Sequence, residues 1–224
     1  MAISTYGVTL KWGPTMAAAV KEIDIKDFPD LGGAPEMLET TTFNDKSQTY
    51  IKGIQSLGAL EFTTNYTKQD YNNVAEDSNT ELFYILEFGL NGLEGAFYWK
   101  GKHTAYVVAA GVNSVIEMKI TIVPSTKPTI RPTLTTVTLG DLADGVESSA
   151  LVIVYSDTPA ETPILAYQWK ISDTQAGTYA DIIGATSATY TPTSDDVGKY
   201  IKVQVTSTGG ATGVVLSNAV LVTT

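Results

Sequence analysis

Apolar and polar residues alternate along much of this chain, the signature of strands with one buried face. Tyr6, Val8, Leu10 and Trp12 share one face of an extended segment over 6–12. Similar runs predict strands at 20–26, 60–65, 82–88, 95–100, 105–110 and 114–123, the last carrying Val115, Ile116, Met118, Ile120 and Ile122. Asn91-Gly92 between two apolar runs is a hairpin signal, because both central positions tolerate φ > 0. A single helix is predicted where Thr67 can cap and Asp70 sits at N3, followed by Tyr71, Val74 and Ala75 at helical spacing. The stretch 27–58 breaks the pattern. It holds Pro29, Gly32-Gly33, Pro35, Gly53 and Gly58, yet also Leu31, Met37, Leu38, Phe43 and Ile51. A segment that long without dominant structure tends to be functional, and its apolar residues need a surface to pack against.

Downstream, seven short strands at about 133–139, 150–155, 164–171, 178–183, 187–191, 199–206 and 214–222 predict an all-β sandwich. Between the halves, Pro124, Pro128 and Pro132 remove ladder donors and favour a stiff connector. The predicted organisation is therefore two domains, 1–127 and 128–224. Trp169 in Ala-Tyr-Gln-Trp-Lys-Ile falls on the third strand of the second half, and Asp196-Val-Gly-Lys-Tyr200 has the Asp-x-Gly-x-Tyr form of a tyrosine corner. On these residues 128–224 resembles immunoglobulin-like domains of bacterial and phage surface proteins. Lys202 stands where such domains usually carry a second cysteine, and the alternation falls on Ile201, Val203 and Val205. Two readings follow: a bulge in that strand, or a Tyr200 that is not a corner.

Composition narrows the chemistry. There is no cysteine in 224 residues, which excludes disulfides, thiolate metal sites and cysteine nucleophiles. A lone histidine, His103, cannot supply a histidine zinc cluster, and after Gly101-Lys102 it reads as an exposed turn residue. The net charge of −10 argues against binding duplex DNA through phosphates. It divides evenly: 10 bases against 15 acids in 1–127, and 4 against 9 in 128–224. No run of 18 apolar residues spans a bilayer, and no export signal opens the chain, so production in a cytoplasm without membrane association is expected.

Candidate constellations read as structure. Glu76-Asp77 would solvate a helix end, and Asp195-Asp196 belongs to a turn, since sequence neighbours do not point at one proton. Gly209-Gly-Ala-Thr-Gly213 lacks the lysine and following helix of a phosphate cradle and predicts a hairpin turn. Asp141-Leu-Ala-Asp144-Gly145 has too few spaced oxygens for an EF-hand. Tyr84, Phe88, Phe97, Tyr98 and Trp99 read as packing residues rather than base-stacking ones. The expectation is a protein that is not an enzyme and uses no cofactor or metal.

A second resemblance rests on residues in fixed order: Phe28-Pro-Asp-Leu-Gly-Gly33, Pro35-Glu-Met-Leu-Glu-Thr-Thr41, Asp45, Tyr50-Ile-Lys-Gly-Ile54, Leu60-Glu-Phe-Thr63, Tyr66, Gly111-Val-Asn113 and Ile116-Glu-Met-Lys-Ile-Thr-Ile-Val-Pro-Ser125. Over 1–127 this series resembles the major tail tube proteins of long-tailed bacteriophages of Gram-positive hosts. The resemblance implies a β-sandwich with one short helix, assembled into stacked, hexameric rings that form the conduit for genome ejection. It implies contacts with other copies, with a tape-measure protein inside the tube and with a tail terminator, in a virion assembled in the host cytoplasm. DNA would pass through the lumen without specific binding, repelled by wall acids. The stretch 27–58 would reach the adjacent ring, placing Leu31, Leu38, Phe43 and Ile51 against a neighbouring subunit. The immunoglobulin-like half would decorate the outside and could touch host-surface glycans weakly through its threonines. The alternatives are a two-domain surface adhesin or carbohydrate-binding protein, and an all-β glycoside hydrolase using two carboxylates.

Overall fold

Period-two alternation becomes burial once strands pair. The structure, a computed structural model, describes residues 7–33, 36–53, 57–89, 92 and 94–224. Tyr6, Pro35, Ile54 and Asn91 lie outside the described residues. The chain is mainly β with a single α-helix among the described residues. It divides into two units, Met1–Ile130 and Arg131–Thr224.

The first unit contains β1 (Thr9–Gly13), β2 (Lys21–Asp24), β3 (Met37–Glu39), β4 (Tyr50–Lys52), β5 (Leu60–Asn65), α1 (Lys68–Glu76), β6 (Leu82–Phe88), β7 (Gly95–Val107), β8 (Glu117–Pro124) and β9 (Thr129–Ile130). One sheet runs β2-β1-β6-β7-β8-β5, every neighbouring pair antiparallel, with β9 against β7. Its ends meet. Just past β2, Lys26 donates its N–H to the Thr63 carbonyl at 2.8 Å, and Thr63 donates back to Asp27 at 2.9 Å. Thr64 Oγ1 also donates to the Asp24 carbonyl at 2.6 Å. Leu10, Phe62, Tyr84, Leu86, Trp99, Met118, Ile120 and Ile122 fill the interior. There Trp99 stacks between Phe62 (6.0 Å) and Tyr84 (5.9 Å). On the outer face Met16 and Ala19, from the turn after β1, cover Phe83 and Ile85, so β6 is buried on both sides.

Helix α1 starts as its sequence predicts. Thr67 accepts the Asp70 N–H at 3.0 Å and donates its hydroxyl to the Asp70 carboxylate at 2.6 Å. Val74 supplies its buried contact with the core. The segments 95–100 and 105–110, expected as two strands around a turn at Gly101-Lys102, are largely one strand, β7. Gly101 marks a close approach. A Cβ there would lie 2.6 Å from the Val123 carbonyl oxygen, so glycine lets the strand pass from β6 onto β8 without turning. The proline-rich connector is also not free: Thr129 and Ile130 pair with Tyr98 and Phe97.

The second unit contains β10 (Leu134–Thr138), β11 (Leu142–Ala143), β12 (Val152–Tyr155), β13 (Pro163–Ser172), β14 (Ala180–Asp181), β15 (Tyr200–Gly209), β16 (Gly213–Leu216) and β17 (Val220–Thr223). The larger sheet runs β11-β17-β15-β13-β14 with β16 beside β15, and β10 pairs β12 separately. Trp169 lies at the centre of the core, wholly buried with Ile201, Val203 and Val205. The β13–β15 register is unbroken from Pro163↔Gly209 to Ser172↔Tyr200, so β15 carries no bulge against β13. Lys202 points outward over the Tyr179 ring at 4.5 Å. The hydroxyl that reaches the Asp196 carboxylate, at 2.8 Å, belongs to Tyr190, whose ring stacks on Trp169. Residues 187–191 form no strand, 214–222 splits into β16 and β17, and Gly209–Gly213 is the predicted turn.

Candidate assembly surface

Residues 27–58 are anchored at their start and exposed beyond it. Phe28 packs edge-on against Phe88 at 5.5 Å, and Leu31 joins the core of its own unit. Leu31 is thus a root residue and not part of a projecting tip. From there the chain forms a two-stranded sheet of its own, with Met37↔Lys52, Leu38↔Ile51 and Glu39↔Tyr50 in register. Gly53 donates to the Glu36 carbonyl at 2.6 Å and Thr40 to the Thr49 carbonyl at 2.8 Å. Beyond the strands, Asp45 accepts the Thr42 N–H at 2.7 Å and its hydroxyl at 2.9 Å, bonds that hold its carboxyl below the usual range.

Every residue of both strands is exposed. Met37 and Ile51 show 59% and 55% of their surface, Leu38 is exposed beside Ile51, and Phe43 is fully exposed. An isolated two-stranded hairpin is marginal in water, and this one has apolar residues on both faces. At its root a cleft of about 320 Å³ is lined by Pro29, Gly33, Leu60, Pro124 and Pro128. At the opposite end of the β5–β8 pair, the β7–β8 connection exposes Val107, Val112, Val115 and Ile116.

The titratable groups are tied into the fold. His103 is buried, because β7 runs straight through the position read as a turn. Its Nε2–H donates to the Val74 carbonyl at 2.6 Å, and Nδ1 accepts the Tyr84 hydroxyl at 2.7 Å. Burial lowers the His103 pKa and raises that of Tyr84, keeping both neutral. Lys21 holds Asp77 at 2.6 Å and Glu76 at 2.9 Å, and Trp12 Nε1 donates to Asp77 at 3.1 Å. Burial pushes the Asp77 carboxyl up, but the bonds from Lys21 and Trp12 outweigh it, leaving it below its ordinary value. Glu76 and Asp77 therefore bracket one ammonium that ties α1 to β2. Asp196 accepts from Thr193 and Tyr190 and is likewise depressed despite its burial. Among the described residues no three His, Asp or Glu side chains converge for a metal, and no helix is long and apolar enough to cross a membrane.

A family model described as a domain of unknown function (DUF8696) matches residues 132–224, the second unit without its first residue. No curated protein matches the chain. Among solved structures, it is similar to SPP1 Dit (gp 19.1), described as a paradigm of the hub adsorption apparatus in Gram-positive infecting phages. That alignment covers 94% of this chain and 90% of that one, at 9% identity and a TM-score of 0.35. A likeness so distant carries no functional argument, which rests on this chain's own residues.

Proposed function

We propose that this chain is a structural protein of a phage tail, and that its first unit assembles with copies of itself into stacked rings forming the tail tube. The ordered residues of 1–127 that resemble tail tube proteins motivate the reading. The β3–β4 hairpin carries it, with Leu38, Phe43 and Ile51 exposed although Phe28 and Leu31 just before it pack on the core. Such a hairpin is stabilised by a neighbouring subunit that covers its apolar faces. A contact between different surfaces of identical chains also propagates into rings or open stacks instead of closing as a dimer. The tape-measure protein would occupy the lumen, a terminator would end the stack, and the genome would leave through it. The second unit would lie outside the tube, available for glycan contact.

The full chain at increasing concentration should form rings or tubes in negative-stain images. Phe43→Asp and Ile51→Asp should abolish rings and tubes in those images with an unchanged circular dichroism spectrum. A wild-type chain that forms neither ring nor tube at any concentration, or variants that form them as well as wild type, would overturn the proposal.

A further inference from the structure

Two edge strands of the second unit are short and flanked by acids. β14 has two residues and presents Asp181, paired with Lys170; β11 has two residues flanked by Asp141 and Asp144. These are devices that keep edges from recruiting other strands. Around β12, by contrast, Ser148-Ser-Ala-Leu-Val-Ile-Val-Tyr-Ser156 contains no charge. Its side toward β10 is occupied: Ser156 donates its N–H to the Thr133 carbonyl at 2.9 Å, and the Val154 carbonyl accepts from Thr135 Oγ1 at 2.9 Å. Strand alternation turns the N–H and C=O groups of Leu151, Ile153 and Tyr155 the other way. Among the described residues nothing hydrogen-bonds them there. Residues 187–191 form no strand; their hydrogen bonds here are with Ser148, which donates to the Tyr190 carbonyl at 2.8 Å, and with Glu147, which accepts from the Thr189 hydroxyl at 2.7 Å.

We infer that this edge pairs with the same edge of a second copy, antiparallel about a two-fold axis through Ile153. In that register Ile153 faces its counterpart and Leu151 faces Tyr155, so the free backbone groups of both chains meet. Val152 then falls opposite Val154, and both are exposed in the single chain, at 60% and 47%. The flanking acids select this register. It sets Glu147 against Pro159 and Asp157 against Ser149. An axis through Val152 would oppose Glu147 to Asp157, and one through Val154 would oppose Glu147 to Glu161. Like charges directly opposite are destabilising. An uncharged edge meeting itself has no such conflict, which is the reason for assigning a second copy and not a charged peptide. The contact is independent of the hairpin assembly.

Because the protein lacks cysteine, single cysteines report the pairing directly. A mixture of full-length Val152→Cys and Val154→Cys chains under mild oxidation should yield disulfide-linked dimer well above that of Ile183→Cys, an exposed control. Adding Ser149→Asp to both chains, opposite Asp157, should reduce that dimer, whereas Ser149→Lys should preserve or raise it. The Phe43→Asp change should leave the cross-link unaffected, separating this contact from ring assembly. Cross-linking no better than the control, equal cross-linking by Val152→Cys alone, or indifference to the Ser149 charge would each overturn the inference.

Discussion

In the first unit the strand path leaves β2, crosses β1, β6, β7, β8 and β5, and returns to its start through Lys26, Asp27 and Thr63. In the second unit the corresponding path stays open: β11 and β14 end it with short, acid-flanked strands, and β10 and β12 pair apart from it. The two units also treat a central tryptophan differently. Trp169 donates its Nε1–H to the Ser187 carbonyl at 2.9 Å, whereas the Trp99 Nε1–H, equally buried, has no acceptor among the described residues. Closure accounts for the difference. Trp99 sits inside a ring of strands whose carbonyls bond one another, stacked between two aromatic rings. Trp169 lies beside an irregular segment with a carbonyl to offer. Closing a sheet removes edges and also removes stray acceptors from its interior.

The largest effect should come from emptying either core. Trp99→Ala and Trp169→Ala should each cost about 3–5 kcal/mol of unfolding free energy in the unit concerned. Denaturant titration followed by segment-resolved hydrogen exchange would assign each loss. A Trp169 loss below that range would mean its core collapses around the cavity more readily than the closed one.

Phenylalanine sharpens the contrast. Trp169→Phe removes the bond to the Ser187 carbonyl, a cost of about 0.5–1.5 kcal/mol beyond lost packing. Trp99→Phe removes an orphan donor and incurs no such cost. Equal losses in the two variants would show that the Trp99 N–H is satisfied in solution, for instance by a buried water.

Acidification should produce the smallest effect and separate the units by pH. His103 has a folded pKa below its ordinary value of about 6.5. It is faced by Tyr84, the Val74 carbonyl, the Trp12 ring edge, Asp77 and Lys21. The unfolded chain binds the proton more readily, so the stability contributed by neutral His103 is complete above about pH 6.5 and is lost as pH falls below it. The second unit contains no histidine. Its depressed Asp196 contributes stability above the unfolded carboxyl pKa of about 3.9, lost as pH falls further. Exchange protection between pH 7 and 5 should therefore decline in the first unit before the second. His103→Gln should flatten that decline, and an unchanged slope in the variant would remove His103 as its source.

Features set by near neighbours were legible in the sequence. The α1 start follows from Thr67 and Asp70, three residues apart, and the Gly209–Gly213 turn from its glycines. The inward set of β15 follows from alternation, though the tyrosine bonding Asp196 was missed because Tyr190, outside the Asp-x-Gly-x-Tyr spacing, fills that role. The exposed part of 27–58 was legible as apolar residues without a local partner, but not its division into a packed root at Leu31 and a hairpin bearing Leu38, Phe43 and Ile51. His103 was misplaced for a related reason. Glycine before it signals a turn and a close approach equally well, and only the Val123 carbonyl decides between them.

The sequence by itself determined which segments extend, where the helix begins, and that no cysteine or histidine cluster could form. Tertiary structure alone decided that the first sheet closes, that His103 is buried between α1 and Tyr84, and that β12 keeps one edge free. The first group depends on spacings of a few residues, where steric and hydrogen-bond preferences act directly. The second depends on contacts between distant segments, such as Thr63 with Asp27 and Gly101 with Val123, which no local pattern encodes.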